Sequence, residues 1–551
     1  MLRNLIFGIF LITFFGFSQN FQITYQRSSH GKMIENQDPI LVFATSDKVW
    51  ITSQKMMQGV AKVPFEQIYV QPTKQIYVQV ATLKHGKQVA MFDEEAIAKQ
   101  NFEWTNETKK ILGYECKKAK TIINSNTLEL WVTNEVKIKG APTVLGQSLG
   151  LVLEMVRNGN FAITATKVEK INEFPKNGEV PNVSKTSILD YRDALWKSRF
   201  TTISVFDKET IHFSDAAKSN DSILRFANGT VILRKVTFPE IEPGQTIFVE
   251  LKEISTGDAY DRTGSVFMIP QGKPISFLDG MQNGMNQLPV YENGNGKKYQ
   301  GVVATETYKP LVELMRFFTP FGIKQYNYLE LKDKQWHEKV SFRQEISELH
   351  PALSNQEVWI GAFIGNYDKG GYQISLEITI HDGEGATIPS NQVIPLFNTT
   401  NVMEMGGQEY GTMFNHDKGL EVTFTLEKPL KNARLRYITT GHGGWGAGDE
   451  FVPKINTIYW NEKKVHAFTP WRMDCGSYRL YNPASGNFGN GLSSSDYSRS
   501  NWCPGTVTNP IFIELGDLPA GNHHVQVKIP QGAPEGSSFS SWNVSGVLIG
   551  E

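Results

Sequence analysis

Apolar residues at every second position recur along this chain in short runs, each ended by glycine, asparagine or aspartate. Ile374, Leu376, Ile378 and Ile380 form one such row, and His381-Asp382-Gly383-Glu384-Gly385-Ala386 breaks it. Gln75 to Leu83 alternates, as do Thr127-Leu128-Glu129-Leu130-Trp131-Val132 and Thr246-Ile247-Phe248-Val249-Glu250-Leu251. Val422, Phe424 and Leu426 share a face, and so do Val525, Val527 and Ile529. A two-residue period is that of a half-buried strand, because successive side chains of a strand point to opposite faces. Glycine, at 48 residues, and 11% aromatics fit strands joined by long loops. Runs of this kind in successive units predict β-sandwiches.

The 551 residues suffice for several domains. The formal net charge is −1 with no basic block, so nothing points to nucleic acid or an anionic membrane surface. At the N-terminus, Arg3 precedes the apolar run Leu5 to Phe17, and Gly16-Phe17-Ser18 supplies small residues. This predicts a signal peptide over 1–18, cleaved near Ser18. The run is short for a transmembrane helix, and no later stretch is long enough to span a bilayer. The mature chain is expected to be secreted or periplasmic, where disulfides persist.

Of the three cysteines, Cys475 and Cys503 lie in one C-terminal region and Cys116 lies far upstream. A Cys475–Cys503 bridge is expected, worth about 3 kcal/mol by loop closure, with Cys116 a buried free thiol. The alternative is three reduced, buried cysteines.

The expected domains are a β-rich unit over 19–175, a linker over 176–197, and two further units over 198–385 and 386–551. Phe174-Pro175-Lys176-Asn177-Gly178-Glu179-Val180-Pro181 reads as linker by composition, and Ile188 to Lys197 as a short helix. In the first unit, Gly113-Tyr114-Glu115-Cys116-Lys117-Lys118-Ala119 and Gly146-Gln147-Ser148-Leu149-Gly150-Leu151-Val152-Leu153 resemble the GLPGLI family of secreted Bacteroidetes proteins.

Three polar segments stand out: Gly257-Asp258-Ala259-Tyr260-Asp261-Arg262, then Gly441-His442-Gly443-Gly444-Trp445-Gly446-Ala447-Gly448-Asp449-Glu450-Phe451, then Arg499-Ser500-Asn501-Trp502-Cys503-Pro504-Gly505. Singly, acids in such loops are usually solvated. In this order, with Arg316-Phe317-Phe318-Thr319-Pro320-Phe321 and Leu435-Arg436 between them, they resemble the PNGase F family of bacterial peptide-N-glycosidases over about 198–551. The Arg-x-x-Trp-Cys-Pro-Gly run is the most specific match. Tyr260-Asp261-Arg262 stands where the family has Trp-Asp-Arg, and Glu450-Phe451 where it has Glu-Trp.

The resemblance implies an all-β fold: two adjacent eight-stranded jelly rolls, here preceded by the β-rich N-terminal domain. It implies hydrolysis of the amide joining N-acetylglucosamine to asparagine in N-glycosylated proteins or glycopeptides. Asp261 and Glu450 are then the catalytic carboxylates. Arg262 and Arg499 would hold Asp261 charged or stabilise an oxyanion, and Trp502 would pack a sugar face. Tyr260, His442 and Trp445 complete the substrate-binding set; His442 stands where the type member has Trp. No cofactor or metal is expected: there is no His-x-His, no finger-spaced cysteine pair and no calcium-loop pattern. A monomer is expected. The family's third glutamate would align near Phe363, where Ala362-Phe363-Ile364-Gly365-Asn366-Tyr367-Asp368 offers only the nearby Asp368. The competing reading is a catalytically inactive N-glycan-binding protein of the same fold, which would keep Trp502 and the arginines without needing both Asp261 and Glu450. A copper monooxygenase on paired jelly rolls would need histidine clusters that the chain lacks.

Overall fold

A computed structural model describes residues 19–322, 330–383, 390–443, 448–483, 493–533 and 539–551. The expected signal peptide and Trp445 lie outside these described residues. The chain divides into two compact units, Met1–Arg199 and Phe200–Glu551.

The first unit is a single sheet of thirteen strands, antiparallel apart from one short parallel pair. Its first strand, Asn20–Ser29, buries Phe21, Ile23 and Tyr25. Cys116 is a buried free thiol. The segment expected as a linker packs into this unit. Lys185–Thr186 pairs with Ala90–Met91, and the helix Ile188–Lys197 follows. Ser187 caps that helix by accepting from Asp190 N at 3.0 Å, and Tyr191 is buried, its hydroxyl 2.8 Å from Glu66.

The second unit holds two β-sandwiches. In the first, a four-stranded sheet runs in the order Phe200–Ile211, Tyr372–His381, Thr246–Ser255, Val340–Glu345. It faces a six-stranded sheet ordered Leu224–Phe226, Val231–Thr237, Glu357–Ile364, Thr263–Ile269, Val312–Phe318, Val507–Thr508. Ile374, Leu376, Ile378 and Ile380 are all buried, as their spacing requires. The second sandwich has two four-stranded sheets: Gln392–Asn398, Ser541–Gly550, Leu430–His442, Ile511–Leu518, and Leu420–Leu426, Gly521–Lys528, Asn456–Trp460, Lys463–Phe468. The strand Val507–Thr508 follows the second sandwich's first three strands of the latter sheet in sequence, yet pairs with Arg316 and Phe317 of the first sandwich. Among the described residues, no helix is long and apolar enough to cross a membrane.

The two sandwiches meet over an apolar and a charged contact. Val547 and Ile549 join the first sandwich's core. Beside them, Arg316 of the first sandwich is wholly buried against Glu313, with Nε and Nη2 donating at 2.9 and 2.6 Å. The same guanidinium donates to Thr440, Thr400 and the Asn543 carbonyl of the second. Glu313 also accepts from Ser265 and Ser545. Arg436, reaching the other way, donates to Glu348 at 2.6 Å and to the Glu313 carbonyl at 2.9 Å. Removing one partner of such a buried pair leaves an uncompensated charge, at about 3–5 kcal/mol. Arg316→Met is therefore expected to lower the unfolding free energy by about that amount, read by urea denaturation.

Among the described residues, a different buried acid has no hydrogen-bond partner. Glu253 shares the inward face of Thr246–Ser255 with Ile247, Val249 and Leu251, and neither carboxylate oxygen has a hydrogen-bond partner. Burial, then the charge of Asp258, pushes its pKa up to about 8. The folded chain thus holds a proton that the unfolded chain releases above its ordinary value near 4.5. Stability is expected to fall as pH rises through that window, by up to about 1.4 kcal/mol per unit for this group. Glu253→Gln should flatten the slope and be the more stable protein at pH 8; melting curves at several pH values read both.

Candidate active site

Asp261 lies in the loop between Thr246–Ser255 and Thr263–Ile269, and that loop is held from several sides. Ser255 donates to the Asp258 carbonyl at 2.8 Å, and Tyr260 N donates to Asp258 Oδ1 at 3.1 Å. Tyr372 donates to the Tyr260 carbonyl at 2.8 Å. Arg262 N donates to Thr319 Oγ1 at 2.8 Å, and Thr319 N returns to the Arg262 carbonyl at 3.0 Å. The Arg262 fork closes on Asp258 at 2.8 and 3.1 Å. Its hydrogen bonds are therefore spent on the loop itself, while its charge still lowers the pKa of Asp261.

Glu450 follows the strand Leu430–His442 of the second sandwich. Its neighbour Asp449 anchors it. Asp449 is wholly buried and accepts from Trp542 Nε1 at 2.6 Å and Gly532 N at 2.9 Å. Ser500 Oγ donates to the Asp449 carbonyl and Ser500 N to the Glu450 carbonyl, which sews this loop to the Arg499 turn. The segments converge at Gly441, where a Cβ would meet the Asp449 carbonyl at 2.8 Å and Ser500 Cβ at 2.9 Å.

Arg499 joins the two acids. It is 1% exposed. Its Nη1 lies 3.0 Å from Asp261 Oδ2 and also donates to Glu450 Oε1, while Nη2 donates to the Ser494 carbonyl at 2.9 Å. Its backbone pairs with Arg472 in both directions, at 2.9 and 3.0 Å. Arg472 is itself forked onto Asp474 at 2.9 and 2.7 Å, next to Cys475, which is bonded to Cys503. One guanidinium nitrogen thus stands between carboxylates from two sandwiches. Burial raises the pKa of Asp261, and Arg499 draws it back down. Burial pushes Glu450 up to about 7; Arg499 opposes this and the charge of Asp261 adds to it. Asp261 Oδ2 is buried 3.0 Å from the guanidinium without an aligned hydrogen bond.

Trp502 does not lie open to a sugar. It is 3% exposed, stacked on Phe318 at 4.4 Å with the Arg499 guanidinium 4.3 Å from its ring, and its Nε1 donates to the Gly441 carbonyl at 3.0 Å. Its observed contacts support Arg499 from behind. Tyr260, 54% exposed, and Tyr367, 52% exposed, lie on either side of Arg262, at 5.0 and 5.4 Å. His442 is half-buried beside Phe318 and Trp502.

Sequence reasoning missed Glu404. This acid of the second sandwich accepts from Asn401 at 2.6 Å and Tyr410 at 2.7 Å, and Tyr410 shares a 2.8 Å hydroxyl contact with Tyr367. Burial raises its pKa, and its hydroxyl and amide donors and Arg262 lower it. A Cβ on Gly365 would come within 3.2 Å of its Oε1. An acid therefore does stand beside the strand end at Phe363–Gly365, supplied by the other sandwich. No spacing in the sequence links residue 404 to that strand.

Residues 23–193 match the family model of the N-terminal domain of the N-glycanase peptide. Residues 202–380 match the N-terminal domain of peptide-N-glycosidase F and 409–549 its C-terminal domain. Two crystal structures of PNGF-II are similar over nearly the whole length. The C2 form is 58% identical, covers 97% of this chain and 98% of that chain, and has a TM-score of 0.89. The P21 form is 59% identical, covers 97% and 99%, and has a TM-score of 0.90. The chain belongs to the peptide-N-glycosidase F family. No curated protein sequence matches it.

In this family member the Cys475–Cys503 bond holds the Arg499 turn against the Arg472 segment. The Cys475→Ser/Cys503→Ser double variant is expected to lose about 3 kcal/mol of stability, measured by urea unfolding against the oxidised wild type.

Proposed function

We propose that the chain is a secreted peptide-N4-(N-acetyl-β-glucosaminyl)asparagine amidase. The observation that carries the reading is the meeting of Asp261 and Glu450, from different sandwiches, on the single buried Arg499. Two desolvated acids beside one cation cannot both ionise as readily as free acids, so the pair keeps a proton available near neutral pH. Desolvating both is costly, and a protein that only bound glycan would have no need of it.

The chemistry follows from those protonation states. Water adds through oxygen to the carbonyl carbon of the glycosylated asparagine. Asp261 orients that water and accepts its proton on its carboxylate. The C–N bond breaks, and the glycosylamine nitrogen takes a proton passed through the Asp261–Glu450 pair. Aspartate remains on the peptide, and the released glycosylamine then loses ammonia to water. Arg499 keeps the pair ionisable and offers a cation to the developing oxyanion. Tyr260 and Tyr367 offer exposed rings for sugar faces, and Glu404 offers an acceptor for sugar hydroxyls. The reaction as written uses only water and these side chains.

The test is mass spectrometry of a glycopeptide treated with wild type, Asp261→Asn and Glu450→Gln. Wild type should leave an aspartate where the glycosylated asparagine stood. Asp261→Asn should lower kcat/KM by about 10²- to 10⁴-fold. In wild type, kcat/KM should fall as pH rises through about 7, as Glu450 loses the proton that the pair supplies; Glu450→Gln should remove that limb. A product retaining one N-acetylglucosamine would overturn the amidase in favour of an endoglycosidase. Glycan binding without turnover would favour the inactive binding protein.

A further inference from the structure

A short hydrogen-bonded series runs from the buried sandwich contact to the edge of the site. Arg316 Nη1 lies 3.1 Å from Thr440 Oγ1, and Thr440 Oγ1 lies 2.7 Å from His442 Nε2. A guanidinium has only N–H groups to offer, so the Thr440 oxygen accepts from it. The Thr440 hydroxyl proton must still be donated, because the residue is 0% exposed and a buried unmade donor is costly. Among the described residues its one available acceptor is His442 Nε2. That nitrogen can accept only if it carries no proton, which leaves the imidazole proton on Nδ1.

We propose that His442 is locked as the neutral Nδ1–H tautomer and serves as a fixed hydrogen-bond donor to an uncharged oxygen of the glycan, a hydroxyl or an acetamido carbonyl. The ligand in this statement rests on the amidase reading; the tautomer does not. Nδ1 has no acceptor among the described residues, and His442 is half-buried, so a donor is left for an incoming group. The ring lies against Phe318 at 5.8 Å and Trp502 at 5.4 Å, which limits its rotation.

The surrounding charges favour the same form. Arg316, paired with Glu313, faces His442 from the first sandwich; Arg499, paired with Asp261 and Glu450, faces it from the turn. Burial first, then these two cations, draws the imidazole pKa down to about 3. His442 therefore stays uncharged while the Asp261–Glu450 pair titrates, and it adds no third cation beside Arg499. An uncharged donor matches neutral sugar oxygens.

The test uses the full chain labelled with ¹⁵N-histidine, the His442 signals assigned by difference from His442→Asn. The expected result is a protonated Nδ1 and an unprotonated Nε2 that do not change between about pH 5 and pH 8. Adding a disaccharide of N-acetylglucosamine should move the Nδ1 resonance. On glycopeptide, His442→Leu should lower kcat/KM by about 3- to 10-fold, whereas His442→Asn, which places an amide N–H near the Nδ1 position, should recover part of that loss. Melting temperatures of the two variants separate this difference from a folding defect. A proton on Nε2, titration between those pH values, or equal kinetics for the two variants would overturn the proposal. If wild type releases no glycan, the amidase reading falls, and the NMR arm still decides the tautomer and the sugar contact.

Discussion

The Arg316–Glu313 pair is the contact through which the two sandwiches of the second unit become one body. Both side chains are wholly buried, and the pair reaches Thr400, Thr440, Asn543 and Ser545 on the far side. Apolar packing around Val547 and Ile549 is tolerant of small slides; a charge-assisted fork is not, because its donors must each find an acceptor. Arg436 and Glu348 repeat the device in the opposite sense. Asp261 and Glu450 come from different sandwiches, so their approach to Arg499 depends on this registration.

Around Arg499 the same logic is applied at shorter range. Three loops supply two acids and one cation, and each loop is tied down by its own partners: Asp258 and Tyr372 for the first, Asp449 for the second, Arg472 and the disulfide for the third. Loops carry the polar groups and the sheets hold the loops still. Desolvation then does the electrostatic work. It raises both acids, while the shared guanidinium keeps them from becoming simply neutral. Trp502 and Phe451 lie against the guanidinium at 4.3 and 5.1 Å and dry it, which strengthens its pull.

Much of the site was legible as motif and little of it as geometry. Asp261, Glu450 and Arg499 each sit in a run distinctive enough to be picked out, and the structure brings all three together. Arg262 was legible as a cation but not as the partner of Asp258, since its place four residues on looks no different from surface spacing. Trp502 reads as a sugar platform by residue type, yet its Gly441 bond and its stack on Phe318 bury it. Glu404 was not legible at all, because its neighbour Gly365 belongs to another sandwich. Phe174 to Pro181 reads as linker by composition and Ile188 to Lys197 as a short helix; the helix forms, and Tyr191 and a short parallel pairing pack the segment into the first unit.

What the sequence by itself determined is the all-β character, the inward rows of the strands, the cysteines that bond and the family to which the chain belongs. These are local or nearly local properties: a two-residue period places a side chain on a face whatever lies beyond it, and a motif needs only its own order. Which carboxylate meets which cation, which ring stays exposed and which tautomer a histidine holds were decided by tertiary structure. Each of those depends on groups far apart in the chain, and on burial that exists only once the two sandwiches have closed on each other.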